Sequence, residues 1–229
     1  NIMFIQSTLS NQSTFFQKIR SIDYLLIFTV IAIGVISCFA MYSTDGGELN
    51  YHTKNHAIRL GLFFSLMMFI SFINIKTWHS LGYVFYLIVL GLLIWASLFG
   101  ITASGSQRWI NLYFINLQPS ELMKIAIILC FAKYYHRIQL SNVNKLKNIV
   151  IPILIIFIPT ALVISQPDLG TSVLIVLSGI IVLWLAGVNI KYFFYSSIAF
   201  IISAPFVISF LKPYQKLRIL TFFDPDKDP

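Results

Sequence analysis

The chain has 229 residues, of which 58% are hydrophobic and only 10% are charged. This composition excludes an ordinary soluble domain, in which about a quarter of the residues are charged. The formal net charge of +8 comes without a nucleic-acid-binding pattern, and we interpret it as a membrane-topology signal with some attraction to anionic lipid.

Long apolar runs recur along the chain, and each is about as long as a helix that crosses about 30 Å of hydrocarbon. The first run follows a polar leader without an evident cleavage site, so we expect it to remain as a membrane helix. The sequence predicts an all-α, polytopic transmembrane helical bundle with about seven spans. These lie near residues 23–42, 56–73, 79–99, 119–135, 148–166, 169–186 and 192–211.

Lysine and arginine are distributed unevenly between alternate loops. One side carries most of them before residue 212, namely Lys18, Arg20, Lys76, Lys133, Arg137, Lys145, Lys147 and Lys191. Basic loops are typically cytoplasmic. We therefore predict a cytoplasmic amino-terminal segment at 1–20, and an outer face formed by the loops at 43–55, 100–118 and 166–170 and the tail from 212.

The two cysteines and one histidine–arginine pair have simple interpretations. Cys38 and Cys130 both fall inside predicted helices, which indicates packing rather than a disulfide or a metal site. His56 and Arg59 share a helix face at the outer start of the second span. Anchoring at the membrane interface explains His56 and Arg59, and Arg59 is also a candidate substrate-binding residue.

Arg108 lies in the predicted outer loop between the third and fourth spans. It is followed by Trp109, and we expect this loop to be short and flexible at Gly105. A snorkelling arginine beside an aromatic anchor is one interpretation. A functional cation on the outer face is the other.

Glu121 and Lys124 lie in the first turns of the predicted fourth helix, which Pro119 opens where a missing N–H costs little. The helix dipole favours Glu121 at this position. Lys124 opposes the dipole and lies about a turn into hydrocarbon, where an ionisable residue costs about 2.5 to 3.5 kcal/mol on insertion scales. We predict an ion pair between them that presents a cation at the outer mouth of a cavity.

Acidic residues on the same predicted face complete the set of candidates. Asp168 lies between two apolar runs with almost no loop, and it fits either a helix cap or a functional carboxylate. The stretch 223–229 is a rigid acidic loop with three aspartates. Composition alone does not select one of them.

Four motifs, in order and spacing, resemble the SEDS family of shape, elongation, division and sporulation proteins (FtsW/RodA/SpoVE). They are GSQRWI at 105–110, QPSELMK at 118–124, QPDLGT at 166–171 and DPDKDP at 224–229. Gln107 and the double Asp-Pro ending are more similar to the rod-shape branch, RodA, than to the division branch, FtsW. The resemblance runs from about residue 21 to the end.

This resemblance implies a peptidoglycan glycosyltransferase that polymerises lipid II, an undecaprenyl-diphosphate-linked disaccharide peptide, for cell-wall elongation and rod shape. It implies a location in the bacterial inner (plasma) membrane, and as partners a class B penicillin-binding transpeptidase and other rod-complex proteins. Matched by motif, Asp228 is the family's essential carboxylate. The family's substrate-binding Arg, Glu, Lys and outer-boundary Asp fall on Arg108, Glu121, Lys124 and Asp168.

These residue types suit glycan extension, which needs a base for the attacking 4-hydroxyl and cations for the departing lipid diphosphate. We hypothesise that Asp228 is the base, that Arg108 and Lys124 stabilise the diphosphate, and that Glu121 orients Lys124. No cofactor is certain. A divalent cation bound by Asp168 and Asp228 would share the role of the basic side chains.

Two other functions stay open: a lipid II flippase or transporter, and a non-catalytic scaffold of the elongation complex. Charges on one face favour surface chemistry over a route across the membrane. The chain has about seven of the family's roughly ten spans, so we expect residues 21–229 to be a SEDS transmembrane domain truncated in the outer loop after the seventh helix. With its first methionine at Met3, the chain is expected to be a fragment or a split reading frame.

Overall fold

A computed structural model of the chain describes residues 20, 22–103, 106–112, 116–210 and 216. The α-helices with described bounds are α1 (Tyr24–Thr44), α2 (Tyr51–Ser71), α3 (Ile75–Phe99), α4 (Pro119–His136), α5 (Leu146–Ser165), α6 (Leu169–Leu185) and α7 (Ile190–Phe210). The strands are β1 (Ile101–Ala103), β2 (Ser106–Asn111) and β3 (Asn116–Leu117), and a 3-10 turn spans Leu140–Asn142. Each predicted span corresponds to one of these helices, and the predicted all-α fold class is confirmed.

Three helices in the described ranges are long and apolar enough to cross a membrane by length and composition alone: α1, α3 and α5. The apolar helix α6 and the part of α7 up to Ser203 are shorter. Polar side chains interrupt the other two helices. These include Lys54 and Arg59 in α2, and Glu121 and Lys124 in α4.

The chain divides into two compact units, Asn1–Asn74 and Ile75–Pro229. In the first unit, α2 begins at Tyr51, earlier than the predicted residue 56. The reason is a cap supplied by the preceding turn: Oδ2 of Asp45 accepts hydrogen bonds from the backbone N of Thr53 at 2.9 Å and from its Oγ1 at 2.6 Å. These bonds satisfy a first-turn N–H that water would otherwise have to satisfy, so the polar residues before 56 join the helix.

In the second unit, α4 is the central helix. A stripe of its side chains at helical spacing is buried, including Met123, Ile127 and Phe131, each fully inaccessible. The stripe packs in one core with residues of neighbouring helices such as Leu93 on α3, as expected when one helix face is covered by several others. Burial of this face fixes the rotation of α4, and therefore the direction of the polar residues in its first turn.

Helices α3 and α4 approach each other closely at Gly82. A Cβ added there would lie 2.6 Å from the carbonyl oxygen of Leu129, which is closer than real Cβ atoms come to oxygen. Only glycine lets the two backbones meet at this distance. The close approach fixes the spacing of α3 and α4, and the strands β1, β2 and β3 connect the end of α3 to the start of α4.

The segment between α3 and α4 is a three-stranded antiparallel sheet in the order β1-β2-β3. The prediction of a short loop here is therefore wrong for the described residues, while Gly105, the expected point of flexibility, lies outside them. The strands were missed because they are short and of mixed polarity between two long apolar runs, so they lack a sustained period of two. The sheet places Arg108 on a strand rather than on a mobile loop.

Candidate functional site

Asp168 is the centre of a polar cluster formed where β2 and the N-termini of α4 and α6 meet. Its Oδ2 forms an ion pair with Arg108 Nη1 at 3.1 Å and accepts hydrogen bonds from Gln118 Nε2 at 3.0 Å and Thr171 Oγ1 at 2.9 Å. Its Oδ1 accepts from the backbone N of Thr171 at 3.2 Å. Asp168 thus caps α6, as one of the two interpretations of the sequence predicted, and it also binds Arg108.

Arg108 is held by β2, and its side chain is only 23% exposed. One guanidinium nitrogen pairs with Asp168, while the buried Nε has no hydrogen-bond partner among the described residues. The snorkelling interpretation does not describe this side chain, because its charge pairs with a carboxylate that is itself only 9% exposed. A guanidinium has five N–H donors, so most of its donor capacity lies outside the ion pair.

Gln118 connects the cluster to the start of α4. Its Nε2 donates to Oδ2 of Asp168 and to Oγ of Ser120, in both cases at 3.0 Å. Ser120 is 1% exposed, so this amide links two buried groups. Gln118 lies in the motif at 118–124, but the sequence alone does not indicate it as a site residue. A polar residue directly before the proline that opens a helix was the available signal.

The predicted ion pair between Glu121 and Lys124 is present. Lys124 Nζ lies 2.8 Å from Glu121 Oε2, one helical turn apart on α4. The Lys124 side chain is 24% exposed and that of Glu121 is 53% exposed. A pair this exposed contributes at most about 1 kcal/mol, so its effect is to direct the Lys124 ammonium rather than to hold the fold together.

The electrostatics of this region favour an anion. The N-termini of α4 and α6 carry the positive ends of two helix dipoles. Arg108 and Lys124 add two cations, and each is matched by one carboxylate. Asp168 is enclosed by its donors, whereas the side chains of Arg108 and Lys124 are each about one quarter exposed, so both cations can take part in binding a phosphate.

Two candidates from the sequence fall elsewhere. Asp228, the proposed base, lies outside the described residues. Arg59 lies on α2 in the first unit and is exposed, one turn from His56, whose Nε2 lies 2.8 Å from Ser37 Oγ on α1. The structure brings together Arg108 with Asp168, and Glu121 with Lys124.

The hypothesis of a divalent cation bound by Asp168 and Asp228 stays a prediction, because Asp228 lies outside the described residues. Both oxygens of Asp168 already accept hydrogen bonds, so a cation at Oδ2 would compete with Arg108. Over the described ranges, no group of three or more His, Cys, Asp or Glu side chains lies together in a way that could hold a metal ion.

Comparison with known proteins gives a family match over most of the chain. The family model described as "Cell cycle protein" (FTSW_RODA_SPOVE) matches residues 17–229. The peptidoglycan glycosyltransferase MrdB of Escherichia coli (strain K12) is 33% identical over 224 residues, which cover 96% of this chain and 58% of the relative. The probable peptidoglycan glycosyltransferase FtsW of Coxiella burnetii is 34% identical over 204 residues, 86% of this chain and 54% of the relative.

Solved structures agree on the fold. A chain of the complex described as "Structural coordination of polymerization and crosslinking by a peptidoglycan synthase complex" matches with a TM-score of 0.77 and 25% identity, over 90% of this chain and 60% of that one. The rod shape determining protein RodA of Thermus thermophilus matches with a TM-score of 0.68 and 22% identity, over 80% and 59%. This chain spans about three fifths of the length of these relatives, and like them it is a multi-pass helical membrane protein.

Proposed function

Because this chain belongs to the FtsW/RodA/SpoVE family of cell cycle proteins, we propose that it acts in peptidoglycan glycosyl transfer, polymerising lipid II into glycan strands for cell-wall elongation. The names of the MrdB and FtsW relatives state the activity of a peptidoglycan glycosyltransferase. The predicted family membership is confirmed.

One observation carries the proposal: Arg108 is fixed by Asp168 with its Nε unpartnered among the described residues, beside two helix N-termini. In glycan extension, a 4-hydroxyl oxygen attacks C1 of a sugar held on a lipid diphosphate. The C1–O bond to the diphosphate breaks, and the hydroxyl proton passes to a base. Preorganised cations stabilise the negative charge that develops on the departing diphosphate, and we assign this role to Arg108 and Lys124.

The roles of the remaining candidates follow from that chemistry. Asp228 is the proposed base, Glu121 orients Lys124 by the 2.8 Å pair, and Asp168 holds Arg108. Arg59, exposed on α2, binds anionic headgroups of substrate or bilayer at the membrane interface.

The location and the partners are part of the same proposal. The uneven distribution of basic residues supports a cytoplasmic amino terminus and a site on the outer face, and the named relatives support the bacterial inner membrane as the location. The fold shared with a chain of a peptidoglycan synthase complex supports a class B penicillin-binding transpeptidase as partner, since the glycan strands made here would be its substrate.

The test is polymerisation of purified lipid II in detergent. Because the match covers 58% of the E. coli relative, the chain is assayed both alone and co-expressed with the unmatched portion of that relative. We expect Arg108→Ala to lower the rate at least about a hundredfold, by analogy with the loss of one preorganised oxyanion donor, and Asp228→Ala to abolish it. Lys147→Ala is the matched control, because Lys147 is an exposed basic residue at the start of α5, away from the cluster.

The outcomes separate the three candidate functions. Polymerisation that survives Asp228→Ala and Arg108→Ala at the normal rate contradicts the assigned roles. Transport of lipid II across vesicles by a protein that never polymerises it in detergent favours the flippase. Growth supported by an Asp228→Ala strain favours a scaffold.

A further inference from the structure

Gln118 occupies the N-cap position of α4 but its side chain forms no capping bond to that helix among the described residues. Its backbone carbonyl oxygen accepts a hydrogen bond from the backbone N of Glu121 at 3.1 Å. Its side-chain amide is directed to Asp168, fifty residues further along the chain. A simple cap would be local. The side chain instead ties the start of α4 to the carboxylate that caps α6.

The amide has only one orientation that satisfies this contact. An ionised carboxylate only accepts hydrogen bonds, so the nitrogen and not the oxygen of Gln118 must face Asp168. The same nitrogen also donates to the buried Oγ of Ser120, so both amide hydrogens are used. Gln118 is therefore fixed at both ends, by the turn that starts α4 and by two acceptors.

This arrangement determines how Arg108 binds. A free carboxylate and a guanidinium tend to form two parallel hydrogen bonds. Here Gln118 and the Thr171 hydroxyl both donate to Oδ2, and the backbone N of Thr171 donates to Oδ1. Arg108 Nη1 approaches Oδ2, the oxygen that already has two donors, at 3.1 Å, and the buried Nε of Arg108 has no partner among the described residues.

We propose that Gln118 is a positioning residue for diphosphate binding: by occupying Oδ2 of Asp168 it sets the direction of the Arg108 guanidinium and keeps the remaining donors for the phosphate oxygens. This inference rests on the proposed function, because it assigns the phosphate of a lipid diphosphate as the ligand. Gln118 acts through Asp168 and Arg108 and does not itself touch the ligand.

The test compares the wild type with Gln118→Ala and Gln118→Glu. Affinity for undecaprenyl diphosphate in nanodiscs and KM and kcat for lipid II are measured at several pH values. The diphosphate is charged before and after the bond breaks, so losing the position of Arg108 weakens ground-state and transition-state binding alike. We expect Gln118→Ala to raise Kd and KM about tenfold and to change kcat less than about threefold.

Gln118→Glu provides a readout that packing alone would not move. It replaces the amide donor by a second carboxylate beside Asp168, where Arg108 is the facing cation and Glu121 and Lys124 are the nearest ionisable groups on α4. One of two adjacent carboxyls has a raised pKa and takes up a proton first, and that proton restores a donor to Oδ2. The Kd defect should therefore exceed that of Gln118→Ala at about pH 8 and shrink toward about threefold at about pH 5.5.

Gln139→Glu is the matched control, because Gln139 is exposed in the turn after α4 and the change in net charge is the same. Thermal unfolding of each variant checks that the fold is kept. A Gln118→Ala Kd within twofold of the wild type, or a Gln118→Glu defect that is constant with pH, overturns the inference while leaving the proposed function intact. A wild type that binds no undecaprenyl diphosphate overturns both.

Discussion

Asp45 and Asp168 use the same local contact in two different regions of the molecule. Each carboxylate accepts one hydrogen bond from the backbone N of a threonine and one from its Oγ1, Thr53 for Asp45 and Thr171 for Asp168. At the α1–α2 turn, these two are the hydrogen bonds described for the Asp45 carboxylate. In the second unit, Asp168 also accepts from Arg108 and Gln118.

A helix cap becomes part of a site when its carboxylate has further donors within reach. A carboxylate that caps a helix has lone pairs left over, and these accept whatever donors the rest of the fold supplies. The α1–α2 turn supplies none beyond Thr53 in the hydrogen bonds described for Asp45. In the second unit, β2 and the start of α4 supply two further donors, Arg108 and Gln118, and Arg108 carries a positive charge.

Removing the carboxylate should separate the two regions most strongly. Asp168→Ala leaves the partly buried Arg108 without its counter-ion and leaves Gln118 and Thr171 without an acceptor, so we expect a loss of about 3 to 5 kcal/mol in unfolding free energy. Asp45→Ala should lower stability much less, because only the cap is lost. Thermal unfolding in detergent measures both, and equal shifts in Tm for the two variants would remove the distinction.

A smaller effect separates the two threonines. Thr171→Val and Thr53→Val each delete one hydroxyl donor while keeping the backbone cap. We expect Thr171→Val to cost about 1 kcal/mol and to raise the Kd for undecaprenyl diphosphate about threefold, since the carboxylate that holds Arg108 loses one of its supports. Thr53→Val should leave that Kd unchanged, and a rise in both variants would show that the effect is not specific to the cluster.

The smallest effect is the acid sensitivity of the α1–α2 turn. The hydroxyl of Thr53, followed by its backbone N–H, lowers the pKa of Asp45 from its ordinary value of 3.8. A carboxyl with a lowered folded-state pKa stabilises fully above its unfolded pKa, and this contribution is lost as the pH falls through the folded value. Protection of the Thr53 amide from hydrogen exchange should therefore fall below about pH 3.8, and Asp45→Asn should abolish this pH dependence.

Local and long-range contacts explain what the sequence could predict. The helices were predictable because long apolar runs have few alternatives in a membrane, and the Glu121–Lys124 pair was predictable because its partners are three residues apart. The Arg108–Asp168 contact joins distant segments, and no spacing rule applies to it. Resemblance selected both residues as candidates but did not pair them.

Gln118 shows a second limit. Its position before Pro119 predicts a helix start, and that prediction is correct. Where its amide points depends on α6, which lies fifty residues away. The α2 start was missed for a related reason, because the capping carboxylate Asp45 lies eight residues before Thr53 and outside the usual capping spacing.

The small sheet gives Arg108 a register as well as a position. Side chains on a strand alternate between two faces, so moving β2 by one residue would turn Arg108 away from Asp168 and bring Gln107 or Trp109 to its place. Pairing of Ile110 with Leu117 and of Asn111 with Asn116 ties that alternation to the residue before Gln118. Evolution can therefore exchange residues along β2 more easily than it can insert or delete one, because a single added residue would uncouple the arginine from both helices at once.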